Sequence, residues 1–386
     1  MIIGIDASNL RQGGGITHLC ELLRIADPIK NNFQKIIVWS NQNTLAQLPS
    51  DRPWLIKVHE PLLDKILPCR SYWQWIRLPT QARQAGCDIL FLPGGGSGHS
   101  FHPYITMSQN LLPFESSEYH RYGWSWVRLR LLLLRYIQIH AFHYADGLIL
   151  LTHHARQTVM SNIQQKRGRW IVIPHGVNLQ FYRSPQFQYH LTTYSSAKPL
   201  RLLYVSIIDV YKHQWHVSEA VAKLKNQGFP IILELVGPAY QPALQRLQST
   251  LQILDPTGCF IHYHGSVRYA DLPSIYHRSD IFIFASSCEN MSIILLEAMA
   301  SGLPIACSQR GPMFEILGDA GVYFDPENPN EIATTLQQLL TDHELRTRCA
   351  NRAFAKAQSY SWQRCANQTF GFLRQVTQDY KIRHLS

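Results

Sequence analysis

Residues 281–304 read IFIFASSCENMSIILLEAMASGLP, and the order of residue types along them decides the fold class. The apolar run Ile281–Ala285 reads as a buried strand; a polar loop follows, and a helix begins near Ser292, whose hydroxyl suits an N-cap. Gly302 and Pro304 stop that helix, glycine being favoured just past a helix C-terminus and proline shortly behind it. In parallel α/β sheets ligands sit at such a strand-to-helix edge, where unpaired N–H groups of the helix start meet phosphate. Glu289 lies in the loop and Glu297 in the second helical turn, so both carboxylates can face one cleft. Carboxylates accept hydrogen bonds from hydroxyls, and a sugar nucleotide carries hydroxyls on its sugar and on its ribose, on either side of a diphosphate. The plain alternative is a solvated loop carboxylate at Glu289 and a surface helix residue at Glu297.

Outward from that segment, strand and helix patterns alternate. Residues 2–6 are an apolar strand that runs into Gly13, Gly14 and Gly15 and then an amphipathic helix near 16–25. Further apolar strands fall at 36–39, 88–92, 104–107 and 147–151. A polar stretch low in aliphatics reaches Pro199, after which the pattern restarts with strands at 200–206, 231–236 and 260–263. These boundaries give a first domain at 1–178, a linker at 179–199 and a second domain at 200–360, with a last helix near 361–380 expected to return to the first domain.

A chain of 386 residues with 46% hydrophobic and 16% charged residues suits two folded domains and excludes disorder. The net charge of +10 sits mostly in residues 1–180, with 18 Lys and Arg against 10 Asp and Glu. The eight cysteines form no C-x-x-C pair, so neither a zinc site nor a disulfide framework is expected. No signal peptide is read at the start, and the expected location is cytoplasmic. Residues 124–139 are too interrupted by Arg128, Arg130 and Arg135 to span a bilayer. Residues 121–143, with Arg121, Arg128, Arg130 and Arg135 among Trp124, Trp126 and a leucine run, read instead as a basic aromatic helix able to lie on the inner face of an anionic membrane, and residues 54–77 hold a second such cluster. The other reading is that the leucines 129–134 pack into a core and the arginines are solvated. Nucleic acid is not an expected partner, because no recognition module accompanies the charge.

Residues 281–304 resemble the signature of family 4 of the retaining glycosyltransferases, two Glu residues separated by seven others and followed by Ala-Met-Ala-x-Gly-x-Pro. Phe260–Gly265, Asp271–Tyr276 and Ser279-Asp280 resemble the part upstream; Glu315, Asp319-Ala320 and Phe324–Pro326 resemble the part downstream. The likeness covers roughly residues 200–365. It implies the GT-B fold, an α/β architecture of two Rossmann-like domains facing each other across a cleft. It also implies transfer of a sugar from a nucleotide-diphosphate sugar, GDP-mannose or a UDP-hexose, to a hydroxyl of a glycan or lipid-linked acceptor in surface polysaccharide or glycolipid synthesis.

On that resemblance Glu289 contacts hydroxyls of the donor sugar, Glu297 binds the ribose, and backbone N–H groups of Asn290, Met291, Ser292 and Ile293 meet sugar or phosphate. Lys212, beyond the strand ending at Ser206, neutralises the diphosphate, and Ser206 joins the donor set. The family's Arg five positions earlier is replaced by Ile207, which leaves His213 and Arg310 as candidate substitutes. Gly14 and Gly15 let backbone approach phosphate or acceptor. Gln109 stands where relatives have His; an amide is no general base, which fits a front-face mechanism in which the departing phosphate takes the acceptor's proton. Asn110, His102 and the loop Gly94–Gly96 are further acceptor-side candidates, and His175 is either a hinge or a ligand contact. No metal and no other cofactor is expected, Lys212 and the helix N–H groups standing in for a cation. A non-catalytic glycan-binding or scaffold subunit, a sugar-nucleotide epimerase and a glycoside phosphorylase on the same fold stay open.

Overall fold

The computed structural model describes residues 1–11, 13–96, 100–163 and 168–385. It divides into two units, Met1–Tyr119 with Gly123–Gly176 and Ser361–Ser386, and His120–Tyr122 with Val177–Tyr360.

The first unit is built on seven strands: β1 (Ile2–Asp6), β2 (Lys35–Ser40), β3 (Leu55–His59), β4 (Ile89–Leu92), β5 (Tyr104–Met107), β6 (Gly147–Leu150) and β7 (Arg169–Val172). Their order is β3-β2-β1-β4-β5-β6-β7, every pairing parallel. The second unit has six: β8 (Leu200–Val205), β9 (Ile231–Val236), β10 (Ile261–Tyr263), β11 (Ile281–Phe284), β12 (Ile305–Ser308) and β13 (Val322–Phe324). They lie in the order β10-β9-β8-β11-β12-β13, again all parallel. Central strands such as β4 and β11 are apolar at every position because helices cover both faces. The edge strand β3 is half exposed and carries Lys57, which hides it from an apolar-run reading.

Strand order reverses between β1 and β4 in one sheet and between β8 and β11 in the other. Loops leaving the carboxyl ends of two such strands run off in opposite directions and open a crevice, the place where sheets of this kind bind ligands. In the second unit those loops hold Lys212 and Glu289.

The helix Ile293–Ala300 opens on Ser292, whose hydroxyl accepts from the Leu295 N–H at 3.4 Å. Gly302 ends it with φ +66°, and a Cβ there would stand 2.7 Å from the Arg183 carbonyl oxygen. Gly302→Ala is therefore expected to cost at least about 1–2 kcal/mol in urea unfolding, the left-handed backbone alone accounting for that much. An unchanged midpoint would show that the chain around Arg183 yields.

Residues 179–199, read above as a linker, are packed into the second unit. Phe181 is buried, the Tyr182 hydroxyl donates to the Ala357 carbonyl at 3.0 Å, and the buried Arg346 donates to the Gln188 side chain at 3.1 Å. Among the described residues no helix is long and apolar enough to cross a membrane.

Candidate active site

Lys212 closes the loop after β8. Its N–H donates to the Asp209 carbonyl at 3.0 Å, and its carbonyl accepts from the Tyr204 hydroxyl at 2.6 Å. The side chain is buried, its ammonium 4.8 Å from the Tyr211 ring centre and in a salt bridge with the Glu289 carboxylate. The loops after β8 and β11 are tied again by the Ser287 N–H, which donates to the Tyr211 carbonyl at 2.9 Å. Two of the residues named from the sequence thus meet across 77 positions of chain.

Around that pair the expectations divide. Ser206 follows β8 directly, with a buried hydroxyl for which no hydrogen-bond partner is found among the described residues. Asn290, Met291 and Ser292 are buried in the loop that leads into the helix beginning at Ile293, whose first N–H groups have no partner within the helix. Glu297 does not share the surroundings of Glu289. It is 2% exposed and accepts from the Tyr276 hydroxyl at 3.1 Å, with Tyr269 as a second donor. Burial pushes its carboxyl up to about 8, so it holds its proton near neutral pH. The expectation of two carboxylates facing one open cleft is corrected accordingly: the helix Ile-Ile-Leu-Leu-Glu-Ala-Met-Ala is apolar all round and draws its one acid inside.

Of the two candidates for the cation missing at Ile207, His213 is neutral, since burial first, and then Arg121, hold it down at about 3. Its ring nitrogen Nε2 lies 3.0 Å from the Ser287 hydroxyl. Arg310 is charged but engaged, with Asp325 at 3.0 Å and Glu327 at 2.9 Å. Arg121 grips the same Glu327 with two nitrogens at 2.7 and 2.8 Å and holds its carboxyl well below the ordinary range. Beside it the Tyr122 hydroxyl donates to Asp209 at 3.0 Å. From the sequence Arg121 is placed in the basic aromatic helix, which begins only at Trp126, and Tyr122 is passed over, because both stand in the N-terminal half of the chain, between two helices, and nothing local marks them as part of the second unit.

In the first unit, Gly15 meets Gln109. A Cβ on Gly15 would lie 2.6 Å from the Gln109 Oε1, so only glycine admits the amide that close. Gly14 starts the helix of the glycine loop, and Asn110 turns its own backbone by accepting from the Leu112 N–H at 3.0 Å. Gly94 lies beside Asn9 and Leu10, which brings the loop after β4 to the loop after β1. His102 is not part of this edge. It precedes β5 and pairs with Asp146 at 2.7 Å at the amino ends of the strands, whereas Gln109 follows β5. His175, read as a hinge or a ligand contact, is buried with its Nδ1 3.0 Å from that of His18 and its ring on Trp362, and burial holds it well below its usual pKa.

Comparison with known proteins bears on the second unit above all. Residues 193–356 match the family described as Glycosyl transferases group 1. The chain is 36% identical over 110 residues to the O-antigen chain mannosyltransferase B of Escherichia coli, a stretch that is 28% of this chain and 29% of that protein. Matched stretches span about a third or less of the curated relatives first found. Among solved structures, a sucrose-phosphate synthase from Thermosynechococcus elongatus superposes with a TM-score of 0.74 at 17% identity, covering 97% of this chain and 99% of that one. HepE of Anabaena in complex with UDP and glucose gives 0.68 at 16%, covering 96% and 98%. At these identities the likeness is one of fold, and the fold is GT-B.

Proposed function

With a group 1 glycosyl transferase domain making up most of its second unit, we propose that the chain is a retaining glycosyltransferase that moves a sugar from a nucleotide-diphosphate sugar to a hydroxyl of a glycan or lipid-linked acceptor. The observation that carries this reading is the buried Lys212–Glu289 pair at the point where the second sheet reverses its strand order. A buried pair adds little to stability once its desolvation is counted. Its use here is chemical.

Donor entry divides the pair. The Lys212 ammonium turns to the diphosphate and Glu289 accepts from the donor sugar's hydroxyls. As the bond from the anomeric carbon to the phosphate oxygen breaks, the electron pair stays on that oxygen, and Lys212 with the N–H groups at the start of the helix Ile293–Ala300 stabilises it. The acceptor hydroxyl bonds to the anomeric carbon on the face the phosphate leaves and gives that phosphate its proton. Configuration is kept and no protein base is needed, which suits Gln109 beside Gly15 as an orienting amide. Similarity to a mannosyltransferase supports GDP-mannose as donor, and the UDP bound by HepE supports a UDP-hexose. A lipid-linked acceptor would bring the chain to the inner face of a membrane.

The test is release of nucleoside diphosphate from GDP-mannose and UDP-hexoses in the presence of glycan and lipid-linked acceptors, with and without a chelator. One base should be preferred and the chelator should leave the rate within about twofold, Lys212 supplying the charge a metal would otherwise bring. Activity lost to the chelator and restored by a divalent ion would overturn the metal-free part.

A further inference from the structure

The first unit presents an apolar face, and the charges around it select a partner. In the helix Trp126–Tyr144, Trp126, Leu129, Leu133 and Tyr136 recur at three- and four-residue steps and all are exposed. Leu131, Gln138, Ala141 and Phe142 form the opposite, buried side. A helix on a globular domain turns polar residues outward; this one turns a tryptophan, two leucines and a tyrosine. Just ahead of it Trp124 is 97% exposed, with the Arg128 guanidinium 5.0 Å from its ring centre. The segment 66–77 repeats the pattern, with Ile66, Trp75 and Ile76 exposed around a buried Trp73.

Both segments belong to the first unit, where burial, and then the like charges of Arg11 and Arg130, hold the Arg70 guanidinium below its ordinary range. Among the described residues none of the three has a carboxylate in a salt bridge: Arg11 donates to the Leu63 carbonyl, and the nearby Asp64 is held by His59 at 2.5 Å. Neither residues 65–77 nor residues 121–144 contain an Asp or a Glu. Unbalanced arginines beside exposed tryptophans match a surface that is apolar within and anionic at its rim.

We propose that the first unit docks through this face on an anionic lipid bilayer, with Trp75, Trp124 and Trp126 entering the headgroup layer and Arg70 and Arg130 taking lipid phosphates. A second copy of the chain fits poorly, because a self-complementary contact would set arginine against arginine. Docking of this kind stands apart from the transfer reading, although it would carry the chain to a lipid-linked acceptor.

The experiment is co-sedimentation of the full chain with vesicles of phosphatidylglycerol and, separately, of phosphatidylcholine. The chain should pellet with the anionic vesicles at least about 10-fold more strongly. Trp124→Ser with Trp126→Ser should lower that affinity at every salt concentration. Arg70→Gln with Arg130→Gln should lower it about 30-fold at low salt and flatten its salt dependence. Both variants should keep the melting temperature and the nucleotide response of the parent, which separates lost docking from lost folding. No pelleting of the parent with anionic vesicles, or undiminished pelleting of either variant, would overturn the proposal. So would a concentration-dependent dimer that the tryptophan variant abolishes, or complete release by millimolar inorganic phosphate at constant ionic strength.

Discussion

Replacing Lys212 with alanine is expected to lower kcat/KM by about 10- to 150-fold, the loss of one charge-assisted hydrogen bond worth about 1.5–3 kcal/mol in the transition state. Glu289→Ala should fall in the same range. Each substitution also strands its partner's charge in a buried site. Removing one member of such a pair costs about 3–5 kcal/mol of stability, while replacing both with apolar side chains is close to neutral. The combined variant Lys212→Met with Glu289→Leu should therefore unfold in urea within about 1 kcal/mol of the parent and still turn over as poorly as the single variants. Recovery of both stability and turnover in the combined variant would remove the two residues from the chemistry.

A second large effect belongs to Glu297 and to pH. Its carboxyl titrates at about 8 in the folded chain against an ordinary 4.5. Between those values the folded chain keeps a proton that the unfolded chain releases, so stability falls as pH rises from about 4.5 and the fall is complete a little above 8. Glu297→Gln is neutral throughout. Its melting temperature should match the parent's near about pH 5 and exceed it by several degrees near about pH 9. A constant offset across that range would contradict the buried, protonated state.

Much of the architecture could be read before any coordinates, because its signals are local. Ser292 caps the helix it was expected to cap, and Gly302 sits at a positive φ where a side chain would strike the Arg183 carbonyl. The meeting of Lys212 with Glu289 is of another kind. No spacing announces it; it follows once β8 and β11 are neighbours, and strand order is a property of the whole sheet. His102 shows the limit from the other side. Nearness to a strand in sequence does not say which end of the strand, and the ends of a parallel sheet differ in what they can bind. Glu297 was legible and was missed: an apolar helix with a single acid implies a buried acid. The places of Arg121 and Tyr122 were not legible, since their partners Glu327 and Asp209, in the same unit, lie 206 and 87 positions away in the sequence.

The most direct test is calorimetric titration of GDP and of UDP into the parent chain and into the stable Lys212→Met, Glu289→Leu variant. Binding of one nucleoside diphosphate by the parent, weakened at least about 10-fold in the variant, is the expected result. Binding of neither, or equal binding by both proteins, would contradict a donor site built on Lys212 and Glu289.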